Sequence, residues 1–332
     1  MKITDLAIVF TAIFFPLLLI LGFRYDSLGD IRYIEMKYTA ALRSAVQDGS
    51  RSLNLNETPS FEAAYDSKKF MRADKDQALK AFAQTLYMNM GIEEGDFASQ
   101  AALWWYIPAL VVLDYDGYFI YALQSHTNAA GEEEMRHQWT PKLPYAWSDG
   151  EGNSVQFTLD SFVRVYESRS SRWYAGWRHE LAAQAGASLL QSEETFEQIR
   201  RITIVNAVQD RLAYYIQRHN ESALRNGMTY SFTLPVITQE EWVNTIDDVG
   251  MLAFVQGIPL GDRYYNNYAF GGGRLVKSPV YFGGVDDRGL KYYFRDDCSF
   301  PFRVEETFSH RKEAAAAGYR ERSCRNPGVM AP

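Results

Sequence analysis

Five histidines are the first residues to test for chemistry, and none gives a site. His126, His137, His179, His219 and His310 are scattered, and no two stand at a metal-ligand spacing. His219 reads as a residue on a helix face. The Gly271-Gly272-Gly273 triplet lacks the Lys-Ser/Thr that a phosphate loop requires and reads as a flexible turn. Asp114 and Asp116 have the carboxylate spacing that begins a calcium loop, but its later ligand positions are missing, and Asp114-Tyr115-Asp116-Gly117 reads as a hairpin turn. There is no Gly-x-Ser-x-Gly elbow and no His-Glu-x-x-His motif. The sequence therefore predicts no catalytic residue, cofactor or metal, and a protein that is not an enzyme.

Two cysteines remain, Cys298 and Cys324. In an oxidising compartment the pair would close a loop of about 25 residues, worth about 3 kcal/mol in the chain-entropy model; in the cytoplasm they would be two thiols.

The elements that must position any site begin with an apolar block. Leu6 to Phe23 carries no charge. As a helix it would reach roughly 27 Å, against a bilayer hydrocarbon core of about 30 Å, so the expectation is an uncleaved transmembrane anchor whose partner is the lipid bilayer. From Leu28 to Leu53 apolar residues recur every three or four positions, extending the helix as an amphipathic one, with Pro16 and Gly22 as its kink points. Asp74 to Met90 forms a second helix. Ala109 to Leu113 and Tyr118 to Tyr121 form a hairpin. Thr127 to His137 reads as an acidic loop and Val155 to Tyr166 as a strand region. A long helix spans about Trp177 to Arg225, with a break near Gly186. Tyr230 to Val236 and Met251 to Gln256 read as strands, Tyr281 to Phe294 as a last hairpin, and Lys312 to Ala317 as a short helix. The fold class expected is α+β: a long N-terminal transmembrane and amphipathic helix, then an extracytoplasmic domain with antiparallel strands and a second long helix. The domains expected are 1–55, 56–290 and 291–332.

Bulk composition narrows the function. The chain has 332 residues and a net charge of −7, with 47% hydrophobic and 23% charged residues. It is a folded chain, and its acidity argues against a nucleic-acid binder. Aromatic residues make up 15%, including 22 Tyr and 7 Trp, a content suited to core and to half-polar contact surfaces.

The order of Asp5, the Leu6 to Phe23 block and the small-residue stretch Ala40-Ala41-Leu42-Arg43-Ser44-Ala45-Val46 resembles type IV pilin-like proteins, especially the pseudopilins of tight-adherence (Tad) pilus systems of Gram-positive bacteria. The resemblance covers about the first 53 residues. It implies a minor subunit or assembly accessory of a surface filament, with Asp5 pairing a neighbour's α-amino group and Pro16 breaking the packing helix. The partners implied are other pilin-like subunits or secretion-platform proteins. It also implies an extracytoplasmic domain, whereas Arg24, Arg32, Lys37 and Arg43 beyond the block favour, by the positive-inside rule, a cytoplasmic one. At the other end, Tyr293, Cys298, Phe308-Ser309, Glu313-Ala314 and Ala317-Gly318-Tyr319 resemble a small Cys-rich module of secreted nucleases and adhesins. Phe294 stands where that module has a ligating His, so the resemblance implies a Cys298–Cys324 disulfide and no metal. Two other readings stand beside this one: a ligand-sensing domain of the PAS or Cache sort, and a cell-wall glycan binder using exposed Trp and Tyr.

Overall fold

The computed structural model describes residues 3–53, 72–128, 131–273, 281–286, 288–295, 303–308 and 311–322. It divides into two units, Met1–Arg274 and Leu275–Pro332. The class is α+β, and its sheets are built almost wholly from antiparallel pairs.

The first unit is organised by a five-stranded sheet. β1 (Ala109–Asp114) is its central strand, and its run Ala-Leu-Val-Val-Leu-Asp is buried at every position. Such a run belongs to a strand covered on both faces. On one side Leu110 and Val112 join a core with Ala41, Leu42, Ala45 and Val46 of α1 (Ile3–Ser52) and Ala78, Phe82 and Leu86 of α2 (Lys75–Met90). On the other side lies α5 (Glu193–Arg225), where the Tyr118 hydroxyl donates to the Ala207 carbonyl at 2.7 Å. β2 (Gly117–Thr127) and β3 (Glu133–Trp139) extend the sheet one way, β8 (Gly250–Leu260) and β9 (Arg263–Gly272) the other, in the order β3-β2-β1-β8-β9.

A second sheet is a simple meander of β4 (Tyr145–Ser148), β5 (Ser154–Phe157), β6 (Phe162–Glu167) and β7 (Arg172–Trp177). Its alternation of buried and open positions gives one face to the core, where Phe157 meets Phe196 of α5 edge-on at 5.4 Å. Short helices complete this unit: α3 (Phe97–Trp104), α4 (Arg178–Leu181) and α6 (Gln239–Thr245). The length of α5 follows from its sequence. Ser192 caps it by accepting from the Thr195 N–H at 3.3 Å, and Phe196, Ile204, Val208, Leu212 and Ile216 keep one face buried.

The other unit has the sheet order β12-β10-β11-β13, from β10 (Tyr281–Val285), β11 (Lys291–Arg295), β12 (Val304–Phe308) and β13 (Arg320–Glu321). With α7 (Arg311–Ala316) it closes over Tyr281, Tyr293, Ala314 and Tyr319.

The structure corrects several expectations. The transmembrane part of the expected fold class does not stand: among the described residues no helix is long and apolar enough to cross a membrane. α1 itself runs on past the apolar block through Asp30, Arg32, Glu35, Lys37, Arg43, Asp48 and Arg51, and places its later apolar residues in the protein's own core. The acidic stretch before His137 is not a loop throughout, because Glu133–Trp139 pairs with β2 as an edge strand. Tyr230 to Val236 is not a strand; its backbone is tied down by side chains instead, the Asn220 carbonyl oxygen accepting from the Phe232 N–H at 2.7 Å and Gln256 Oε1 from the Thr233 N–H at 3.0 Å. The helix expected from Trp177 is interrupted from Ala182 to Ser192, where a single 3-10 turn stands, well beyond a local break at Gly186.

Gly271 and Gly272 are not a flexible turn either. They end β9, where α1 crosses close to the sheet. A Cβ on Gly271 would lie 2.7 Å from the Val46 carbonyl oxygen, and Ser50 already donates to the Gly271 carbonyl at 2.8 Å. Glycine is there because two backbones approach. Gly271→Val is expected to force α1 off β9 and cost about 1–3 kcal/mol, the usual penalty of overpacking. The midpoint of urea unfolding followed by circular dichroism checks this; an unchanged midpoint would show that the crossing is loose.

Candidate functional site

Asp5 and Pro16 both lie in α1, in the part for which only the backbone is described. Cys298 and Cys324 lie outside the described residues. Three places in the described residues could carry function.

The first is the open face of α1. Its later half is in the core, with Ala45 and Val46 fully buried, yet Phe10, Phe14, Phe15, Leu28, Tyr33 and Met36 are exposed. Phe10 and Phe14 stack on one another at 4.3 Å between ring centroids, an (i, i+4) pair on one helix face.

The second is the β1–β2 turn. Asp114 and Gly117 are register partners, so the turn holds Asp114 at 1% exposure below it. Asp114 Oδ1 accepts from the Tyr115 N–H at 2.8 Å and the Ala73 N–H at 3.1 Å, while the Lys142 ammonium stands 2.8 Å from Oδ2 and also pairs with Asp116. The Tyr145 hydroxyl donates to the Asp114 carbonyl at 3.1 Å. Burial pushes the Asp114 carboxyl upward, with Lys142 and the Tyr115 N–H holding it back. Burial also works against the Lys142 ammonium, but the two carboxylates outweigh it and hold its pKa above the ordinary lysine value. A cavity of about 150 Å³ opens beside it, lined by Asp116, Lys142, Pro144, Gln156, Thr158 and Arg164.

The third is a box of rings around His137 and His219. His219 is buried on α5 with Nε2 at 2.9 Å from the Trp105 carbonyl oxygen, and its ring lies 6.4 Å from that of His137 on β3. Trp104 and Tyr121 flank His137 at 5.5 and 5.9 Å, and Phe232 meets His219 edge-on at 4.6 Å. His137 Nε2 and His219 Nδ1 are buried without a hydrogen-bond partner among the described residues. Burial, then the neighbouring His219, lower the His137 pKa to about 4; burial lowers that of His219 as well. Both rings are neutral at pH 7. Two imidazoles alone are too few for a structural zinc site, and among the described residues no group of three or more His, Cys, Asp and Glu could hold a metal.

Sequence reasoning named Asp114, Asp116, His137 and His219 but had no means of joining them to Lys142, or to one another across the sheet. No protein-family model, curated protein or solved structure matches the chain.

Proposed function

We propose that this is a non-enzymatic, pilin-like protein, a minor subunit or assembly accessory of a type IV or Tad-type surface filament, with its folded domain outside the cytoplasm. One observation carries the reading. A single 50-residue helix is rooted in the fold by one half and offers large apolar side chains on the other. Rooting needs the small residues Ala41, Ala45 and Gly49, and a Cβ on Gly49 would lie 3.1 Å from the Ala78 carbonyl oxygen, so α1 is clamped closely between α2 and the sheet. The exposed Phe10, Phe14 and Phe15 offer apolar area along a long helix, which packing against further helices would bury. Asp5 sits at the head of this face in sequence, where pairing with a neighbour's α-amino group would fix the stagger between subunits.

Asp5→Ala and Phe14→Glu are expected to leave the thermal unfolding of the protein unchanged and to abolish its co-purification with filament subunits from the native cell. Co-purification of both variants at the wild-type level would remove the support for this function.

A further inference from the structure

The outward face of the second sheet carries a feature that the filament reading does not use. Register puts Ser148, Ser154, Tyr166 and Trp173 in one row across the four strands, and Ala146, Gln156, Arg164 and Ala175 in the next. Alternation in each strand places both rows on the same side, opposite the buried Val155, Phe157, Val163 and Val165. Trp173 is 52% exposed, unusual for so large a ring on a sheet, and Tyr166 supports it with centroids 5.4 Å apart. Ser148 and Ser154 in the same row and Ala146 and Ala175 in the next are small, so this aromatic pair borders an open shelf.

At the end of the shelf stands the cavity beside the β1–β2 turn, and the shelf and the cavity share Gln156 and Arg164. These two are register partners on adjacent strands. Neither side chain has a hydrogen bond or ion pair among the described residues, while the neighbouring Lys142 is held by two carboxylates. Arg164 leans on Trp173, with Cζ 5.9 Å from the ring centroid. The result is an unpaired planar guanidinium and a free amide between an exposed indole and a concave polar pocket. A guanidinium fork matches a carboxylate with two parallel hydrogen bonds. An amide exchanges hydrogen bonds with hydroxyls, and a ring face takes the apolar side of a pyranose. From Trp173 to Gln156 the shelf covers roughly 12 Å, from two strand spacings across and two residues along. That is the reach of a short oligosaccharide, not of one small ion.

We propose that this face binds an acidic oligosaccharide, with a uronate carboxylate on Arg164, ring hydroxyls on Gln156 and a sugar ring stacked on Trp173. The Lys142–Asp116 pair shapes the pocket wall and leaves the positive charge of Arg164 for the ligand. A strand of nucleic acid fits the site poorly, because the chain's net charge of −7 opposes a phosphate backbone that needs several cations.

The full-length protein would be titrated with tri-galacturonate and with its methyl ester, following tryptophan fluorescence and heat, and would be screened on an array of uronate-containing and neutral oligosaccharides. The wild type is expected to saturate with the acid and to bind the ester about tenfold more weakly, the loss of one charge-assisted bidentate contact. Arg164→Gln should remove that preference, and Trp173→Ala should weaken acid and ester alike by about tenfold, as loss of an aromatic stacking surface does. Both residues are exposed; Trp173→Phe serves if the alanine variant unfolds, with an intermediate affinity expected. Saturation with no uronate-bearing glycan, equal affinity for acid and ester, or binding unaffected by the Trp173 variants would each overturn the proposal. None of these outcomes depends on co-purification with filament subunits, so the two readings fail separately.

Discussion

Replacing Lys142 with methionine is expected to destabilise the first unit by about 3 kcal/mol, the lower end of the range for breaking a buried ion pair, because Lys142 itself keeps 35% of its side-chain exposure. The damage falls on Asp114. At 1% exposure its carboxylate would keep the N–H groups of Ala73 and Tyr115 but lose the ammonium beside Oδ2. Its pKa, already raised by burial, would rise further. The sign of the pH dependence follows. A carboxyl whose folded pKa exceeds its unfolded value contributes stability below the unfolded pKa and loses it as pH rises through the folded one. The variant should therefore lose more stability at pH 8 than at pH 5 relative to the wild type. Adding Asp114→Asn, which keeps an acceptor for the two N–H groups and removes the charge, should recover much of the loss. Urea titrations of the single and double variants at the two pH values test this; a single variant as stable as the wild type would mean the ammonium does not hold the turn together.

Acid should unfold the same unit through a different pair. His137 has a folded pKa of about 4, against about 6.5 in an unfolded chain. Its stabilising contribution is fully present above pH 6.5 and is lost as pH falls toward 4, since below 6.5 the unfolded chain takes a proton that the folded chain refuses. A gap of this size corresponds to about 3 kcal/mol for His137 alone, and His219, shifted in the same direction, adds to it. The physical cause is the box itself: a proton on either ring would place a charge among Trp104, Trp105, Tyr121 and Phe232, beside the other imidazole. His137→Phe should fill the same space without titrating, and flatten the fall in unfolding midpoint between pH 7 and 5. A variant that loses stability as steeply as the wild type would place the acid sensitivity elsewhere.

The elements that were legible in the sequence are those stabilised locally. α5 announces itself by its apolar spacing and by Asn226 at its C-terminal end, though not by its start, and the first hairpin by a run of branched residues on either side of Asp-Tyr-Asp-Gly. The missed elements depend on distant partners. β3 reads as loop because it is an edge strand with no fully buried position and with the charged Glu133, Glu134 and Arg136 exposed, which is how edges are kept from pairing with other chains. β9 is rich in Tyr, Asn and Gly, and has a strand's conformation because β8 pairs with it almost end to end. The glycine triplet misled for the same reason: only the approach of α1 turns a turn-like composition into a strand end. Lys142 sits between Pro141 and Leu143 with nothing to mark it. It reaches Asp114 because Leu143 and Tyr118 exchange backbone hydrogen bonds at 2.8 and 2.9 Å. Arg164 and Trp173 likewise become neighbours only once register is set.

The hydrogen bond from Ser50 to Gly271 spans 221 residues of chain, and it has a consequence for the order of folding. α1 precedes the sheet in the chain, and of the elements that cover its Ala41, Leu42, Ala45 and Val46 face, β8 and β9 leave the ribosome only after the whole second sheet and α5. The β4–β7 meander involves only sequence-adjacent strands and can form as soon as it emerges, whereas the central β1–β8 ladder must close a long loop first. Until then α1 has only α2 and β1 to pack against, and the part of its apolar face that β8 and β9 cover stays open. Nascent-chain capture by a holdase chaperone should accordingly peak before Gly272 emerges and fall once β9 is out, so that α1 is fully housed only after every helix between it and β9 has been made.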